Sequence, residues 1–298
     1  MSLKVIKTKY WTSLLSVFLV YAIAIFAGWS FLHYVNWSIS IIWRTFIADV
    51  LATIIVYLFS ILFANTSVYD PYWSVIPIFI AFYWLFINNS NDIYLKPLIV
   101  AILVSIWGIR LTVNWLRGWK GLTYEDWRYT LYRKKHSRFI FELINLSGLQ
   151  MLPTVLVFLG CLSIYPSVNV KNDQFNYLDI IGIIITIAAI AIEAISDEQR
   201  RVFAKRRREG EIINIGLWKY SRHPNYFGEI SFWWGLYFFA LGSSLSNWWM
   251  IIGPISISLL FIFISIPLME NRLLSKYSAY KGYKHRVSSL VPLPVRKK

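Results

Sequence analysis

A chain of 298 residues that is 57% hydrophobic and 15% charged is not a soluble globular domain, which carries about 25% charged residues. Its one cysteine, Cys161, excludes an intrachain disulfide and a cysteine-based metal cluster. The four histidines, His33, His136, His223 and His285, show no metal-ligand spacing. The net charge of +15 invites a nucleic-acid reading, which the placement of the charges argues against.

A bilayer core takes about 20 apolar residues per helix. Runs of that kind lie at 11–32, 45–64, 72–88, 96–116, 149–165, 178–196, 228–245 and 248–268, the seventh being short. They predict an all-α, polytopic transmembrane helix bundle of about seven to eight spans. The first run is too long for the apolar part of a signal peptide and no small-residue cleavage site follows it, so it reads as a span. Lys and Arg crowd into the segments on the side that holds the termini. Only Arg44, Lys96 and Lys171 fall on the other side, and Arg110 falls within a span. That asymmetry places both termini and the long loops in the cytoplasm. The basic charge then serves topology and attraction to anionic membrane lipids, not a nucleic-acid partner. No motif sets an oligomeric state.

Polar groups in or beside spans are expensive unless they are used. In chain order, the connection NTSVYDPYWSVIP holds Asp70 beside Tyr69, Tyr72 and Trp73. Asp70 and Tyr72 are candidates to protonate or polarise a carbonyl; alternatively Asp70 caps a helix that has Pro71 at its first position. Arg110, Asn114 and Arg117 share one helical face, where arginine forks suit phosphate oxygens. Snorkelling is the other account of Arg117. Glu193 and Asp197 are one turn apart, with Arg200 and Arg201 following. The two acids suit ribose hydroxyls, a pairing with Arg110, or a structural ion network. Lys205 and Arg206–Arg208, Arg207 among them, form a cationic patch. It suits a nucleotide phosphate such as the 2′-phosphate of NADPH, or lipid contact beside the membrane.

The most informative stretch is GLWKYSRHPNYFGE, Gly216–Glu229. It sets Arg222, His223, Asn225, Tyr226 and Glu229 at the mouth of a membrane helix. Pro224 pushes His223 out of helical geometry, and Gly228 permits close approach to the backbone. His223 has a pKa suited to proton transfer, or it hydrogen-bonds a cofactor or orients Glu229. The 15 Trp and 19 Tyr read mostly as interfacial anchors.

SDEQRRVF, GLWKYSRHPNYFGE and FWWGLYFFAL, with DPYWSVIP and RLTVNWLRGWKGLTYEDWRY upstream, resemble the C-terminal catalytic region of the steroid 5-alpha-reductase superfamily, nearest to its uncharacterised multi-pass membrane proteins. The resemblance runs from about Asn65 to Pro294. It implies N-terminal membrane helices over 1–64 and a reductase-like catalytic domain over 65–298. It further implies an NADPH-dependent reductase of an activated C=C bond in a lipophilic substrate (steroid, prenol or other lipid-like molecule), working at the cytoplasmic side of a bacterial inner membrane or the endoplasmic reticulum. By that resemblance Tyr220, Asn225 and Gly228 match the nucleotide-contacting segment, Asp197 matches an aspartate there, and Arg272 falls near a cofactor-contacting basic or imidazole position. Arg117–Gly118 looks like an Asn-Arg-Gly turn with Leu116 in place of the asparagine. The superfamily's glutamate–tyrosine pair, which holds the substrate carbonyl, has no clear match. RHPNYFGE also recurs in membrane methyltransferases of the isoprenylcysteine carboxyl and phospholipid type. With Glu270-Asn271-Arg272 it implies, as the alternative, S-adenosylmethionine as cofactor, although the usual Glu-Glu pair is here Met269-Glu270.

Overall fold

Apolar runs become helices because in hydrocarbon every backbone polar group must be bonded within its own segment. The computed structural model describes residues 10–35, 37–88, 94–170 and 174–295. Lys4, Lys7, Lys9, Lys171 and Arg296–Lys298, which contribute to the charge asymmetry, lie outside the described residues. The helices are α1 (Tyr10–Tyr34), α2 (Ile41–Leu62), α3 (Tyr72–Asn88), α4 (Leu95–Gly118), α5 (Trp127–Lys135), α6 (Arg138–Ile144), α7 (Leu152–Cys161), α8 (Ile164–Val168), α9 (Tyr177–Arg206), α10 (Pro224–Ser243), α11 (Ile252–Leu260), α12 (Ile266–Lys276) and α13 (Tyr280–Arg286). Among the described residues there is no β-strand, and seven helical segments are long and apolar enough to cross a membrane. The protein is therefore an all-α, multi-pass membrane bundle. α10, the short seventh run of the sequence, is not one of those seven; Glu229 and its Gly, Trp and Tyr residues keep its mean hydropathy down.

The chain divides into two compact units, Met1–Tyr83 with Trp107–Phe158, and Trp84–Ile106 with Leu159–Lys298. In the first, α1 and α2 pack through small residues: Ala24 is fully buried, and a Cβ on Gly28 would stand 3.3 Å from the Ala48 carbonyl. The connection from α2 to α3 is folded into the unit. Asn65 through Tyr69 are buried, and the Tyr21 hydroxyl, midway along α1, donates to the Val68 carbonyl at 2.8 Å. Irregular backbone is tolerated at that depth only when protein satisfies it, and here residues about sixty positions away do so. The Asn65 amide donates to the carbonyls of Leu122 and Tyr124, both at 2.9 Å. The Thr66 N–H donates to Glu125 and the Asp126 N–H to the Ser67 hydroxyl.

The predicted span at 149–165 also begins earlier. Helix starts after Ser137, whose hydroxyl caps it, and runs through a π-helical turn at Asn145–Met151. The polar residues that hide this helix from a hydropathy reading are bonded inside the unit. The Gln150 amide donates to Ser60 at 3.0 Å and to Asn145 at 2.9 Å, and the Asn145 amide donates to Ser60 at 3.2 Å.

In the second unit α9 lies along α10. Gly228, Gly235 and Gly242 recur every seventh residue on α10, and a side chain at any of them would strike Glu193, Thr186 or Asp179 of α9. Small residues at such spacing let two helix backbones approach in a membrane. At the start of α9, Asn176 and Asp179 form a capping box, the Asn176 amide donates to the Gly242 carbonyl at 2.7 Å, and Asp179 takes Lys96 of α4 at 2.8 Å in a fully buried ion pair.

Candidate functional site

The informative motif of the sequence is one wall of a cavity in the second unit. Gly216 sits at φ 55° with the Gln199 side chain against it, a conformation that glycine takes without strain. It starts a 3₁₀ turn that buries Trp218, whose indole N–H donates to the Ser196 carbonyl at 3.0 Å. His223 then adopts φ −139°, ψ 59°, outside helical geometry, and Pro224 opens α10 behind it, as the sequence predicts.

The C-terminal segment is fastened to this turn. Ser221 bridges Ser288, the Arg222 N–H donates to the Ser288 carbonyl at 2.8 Å, and the Leu293 N–H donates to the Tyr220 carbonyl at 3.1 Å. The Tyr283 hydroxyl of α13 donates to the Trp218 carbonyl.

At the centre, Arg222 Nε donates to Glu270 Oε1 at 2.7 Å, and its Nη1 donates to the Lys284 and Val287 carbonyls at the end of α13. Lys284 Nζ holds the other carboxylate oxygen at 2.8 Å. His223 Nε2 lies 3.4 Å from Glu270, and the imidazole stacks on Tyr226, centroids 5.2 Å apart and planes within 7°. Tyr226 in turn meets Phe261 at 4.7 Å. Burial pushes the His223 imidazole below its ordinary value of 6.5, against the opposing pull of Glu270, so the ring is neutral at physiological pH.

The cavity has a volume of about 300 Å³, at the lower edge of ligand-sized pockets. Arg200, Arg207, Arg222, Asn225, Tyr226 and His223 line it from the motif side and the end of α9; Tyr277, Tyr280 and Tyr283 close it from the C-terminal side, and Glu211 also faces it. Arg207 donates to the Tyr277 hydroxyl at 2.8 Å with its guanidinium over that ring. The Tyr280 hydroxyl is buried on this wall, beside Arg222.

Of the residues singled out in the sequence, the cavity thus gathers Arg207, Arg222, His223, Asn225 and Tyr226. Arg200 lines it and Arg201 does not; Arg201 is turned to Glu198 in a two-pronged pair. Glu193 is buried on α9 opposite Gly228, Glu229 accepts the Trp233 indole N–H at 3.0 Å, and Tyr220 is exposed. Asp197 and Arg272 are half-buried on α9 and α12 and do not line the cavity. Arg110, Asn114 and Arg117 belong to the first unit, the first two half-buried on α4 and the third exposed.

Acid stability reports the state of His223. Its folded-state pKa lies below its unfolded one, so its contribution is complete above about pH 6.5 and fades as pH falls through the folded value. The wild-type unfolding midpoint should drop on acidification relative to that of His223→Gln. Parallel pH curves for the two proteins would contradict a buried neutral imidazole.

The first unit holds a second constellation. The Tyr72 hydroxyl donates to Asp49 Oδ1 at 2.7 Å and approaches the Asp49 carbonyl at 3.0 Å. Asp70 is engaged elsewhere, accepting the Tyr129 hydroxyl at 2.6 Å. Tyr72 stacks on Tyr69 at 5.2 Å, and the Tyr69 hydroxyl bonds Thr154, which bonds Thr53. Asp49 and Tyr72 are among the residues that line an apolar cavity of about 130 Å³ formed by α1, α2 and α3. Asp49 had one signal in the sequence, a lone carboxylate inside IIWRTFIADVLATIIVYL, and that alone does not name its partner.

Residues 56–287 match a family described as "Protein of unknown function (DUF1295)". An uncharacterised protein of Schizosaccharomyces pombe is 25% identical over 253 residues, covering 76% of this chain and 73% of that protein. No solved structure matches the chain significantly. The family match takes in both the Asp49-facing Tyr72 and the Arg222–Glu270 cluster, and on that extent the chain belongs to the DUF1295 family.

Proposed function

We propose that this protein is an integral-membrane, NADPH-dependent reductase of an activated C=C bond in a lipophilic substrate, related to the steroid 5-alpha-reductases and working from the cytoplasmic face of its membrane. The observation that carries this reading is the lining of the 300 Å³ cavity. Arg200 and Arg207 face it against one carboxylate, Glu211, while the charge of Arg222 is already met by Glu270. A cationic, tyrosine-walled cleft favours a ligand with phosphates and a flat base.

NADPH bound there would supply a hydride to an activated double bond, leaving negative charge on the substrate's carbonyl oxygen. A donor placed where that charge develops lowers the barrier. In the first unit the Tyr72 hydroxyl is bonded to Asp49, an acid–tyrosine pairing of the kind that the superfamily uses on its substrate carbonyl. Asn225 and Tyr226 would contact the nucleotide, and the neutral His223, stacked on Tyr226, would hold that ring in place.

One observation favours a methyltransferase instead: Arg222, His223 and Glu270, the signature shared with those enzymes, do converge. Two others disfavour it. Glu270 is already bonded by Arg222 and Lys284, and a sulfonium cation gains nothing from a cleft with arginine in excess.

Titration of NADPH fluorescence tests the assignment. Arg207→Ala is expected to weaken NADPH binding about tenfold, the worth of one charged contact, and to weaken NADH binding less. Wild-type affinity in both Arg207→Ala and Asn225→Ala would count against a nucleotide in this cavity.

A further inference from the structure

The turn between α5 and α6 carries charge that its own acids do not meet. α5 ends at Lys135 and α6 begins at Arg138, joined by His136 and Ser137 in extended conformation. The acids on this stretch are engaged by arginine. Asp126 binds Arg128 and Glu125 binds Arg133, both at 2.8 Å, and Glu142 lies 4.0 Å from Arg133. Lys134, Lys135 and Arg138 are exposed, and among the described residues none of them has an acid within ion-pair distance. The side chains that follow are apolar and exposed as well. Phe139, Ile140 and Leu143 are 74%, 46% and 52% exposed, and their spacing places them on one side of the helix. Arg138 also opens a segment, Arg138–Cys161, that is long and apolar enough to cross a membrane. Cations at the end of a span stand at the level of the headgroups, with the apolar stripe running on towards the acyl chains. Exposed cations alone do not make this arrangement. On α13 Lys281 and Arg286 are exposed, but Tyr280, Tyr283 and Val287 beside them are buried, and no large apolar side chain between 275 and 290 is exposed.

We propose that the α5–α6 turn holds one anionic phospholipid, its phosphate on Lys134, Lys135 and Arg138 and an acyl chain along Phe139, Ile140 and Leu143. Guanidinium and ammonium groups suit phosphate oxygens, and each cation beside an anionic headgroup adds to the attraction. A soluble polyanion would meet the charge and leave the apolar stripe uncovered. The lipid also braces the first unit. Glu125, just before α5, accepts the Thr66 N–H, and Tyr129 on α5 donates to Asp70, so fixing the end of α5 steadies the buried connection at 65–70.

The full-length protein, delipidated in detergent, is titrated with phosphatidylglycerol and with phosphatidylcholine of the same chains, and bound lipid is counted by native mass spectrometry. The first phosphatidylglycerol should bind at least about tenfold tighter than phosphatidylcholine, and glycerol 3-phosphate should not displace it. The triple variant Lys134→Gln, Lys135→Gln, Arg138→Gln should lose that preference, and the double variant Lys281→Gln, Arg286→Gln should keep it. On wild type, phosphatidylglycerol with a photoreactive group in its chain should label residues 139–143. Equal affinity for the two lipids, displacement by glycerol 3-phosphate, a preference that survives in the triple variant, or its loss in both variants alike would overturn the proposal. The labelling decides it even where the triple variant does not fold, because label confined to other segments of the wild-type protein contradicts it too.

Discussion

Arg222→Ala is expected to cost about 3–5 kcal/mol of stability and to abolish nucleotide binding, because it leaves a buried carboxylate short of its partner. Glu270 is 4% exposed and takes Arg222 Nε at 2.7 Å. The same guanidinium caps α13 through the carbonyls of Lys284 and Val287, so its loss also frees the tyrosine wall of the cavity. Lysine's three donors diverge from a single nitrogen and cannot span the carboxylate and both carbonyls as the planar guanidinium does, so Arg222→Lys should recover little. Chemical unfolding of Arg222→Ala, Glu270→Gln and the double variant measures the coupling. A double variant less damaging than the sum of the singles is expected; additive losses of under about 1 kcal/mol each would show that the cluster is not a structural unit.

Lys96→Met should be nearly as severe, again about 3–5 kcal/mol, for a related reason. Lys96 and Asp179 are 2% and 0% exposed and 2.8 Å apart. Removing the cation strands a carboxylate among apolar helices. Asp179 also serves the capping box at the start of α9, so its replacement must keep an oxygen. The double variant Lys96→Met with Asp179→Asn should regain most of the loss in thermal unfolding, since no uncompensated charge remains. A double variant no better than Lys96→Met would mean that the pair stabilises by its attraction and not merely by mutual neutralisation.

The helices were legible in the sequence because a hydrocarbon solvent imposes one rule, a long apolar run, on every span. Pro224 likewise announced the break at His223, a local effect that needs no tertiary partner. What stayed hidden depended on residues far apart in the chain. The burial of 65–69 requires Leu122 and Tyr124 to meet the Asn65 side chain and Glu125 to meet the Thr66 N–H, partners that lie about sixty residues away in the chain. Tyr72 stood out in the sequence but its partner did not, since Asp49 is 23 residues away on another helix. Arg200 and Arg201 are adjacent and chemically alike, and only the helical phase of α9 decides that the first lines the cavity and the second turns to Glu198. Gln150 and Asn145 lowered the apolarity of a real helix for the same reason that they stabilise it, being bonded to Ser60 inside the unit.

The central claim is that the arginine- and tyrosine-lined cavity binds NADPH. Thermal unfolding of the purified protein with NADPH, NADH and S-adenosylmethionine tests it most directly, because a ligand that binds only the folded state raises its stability by mass action. The account predicts a rise with NADPH, a smaller one with NADH, and none with S-adenosylmethionine. A rise with S-adenosylmethionine alone would contradict it and make Arg222, His223 and Glu270 a methyl-donor site.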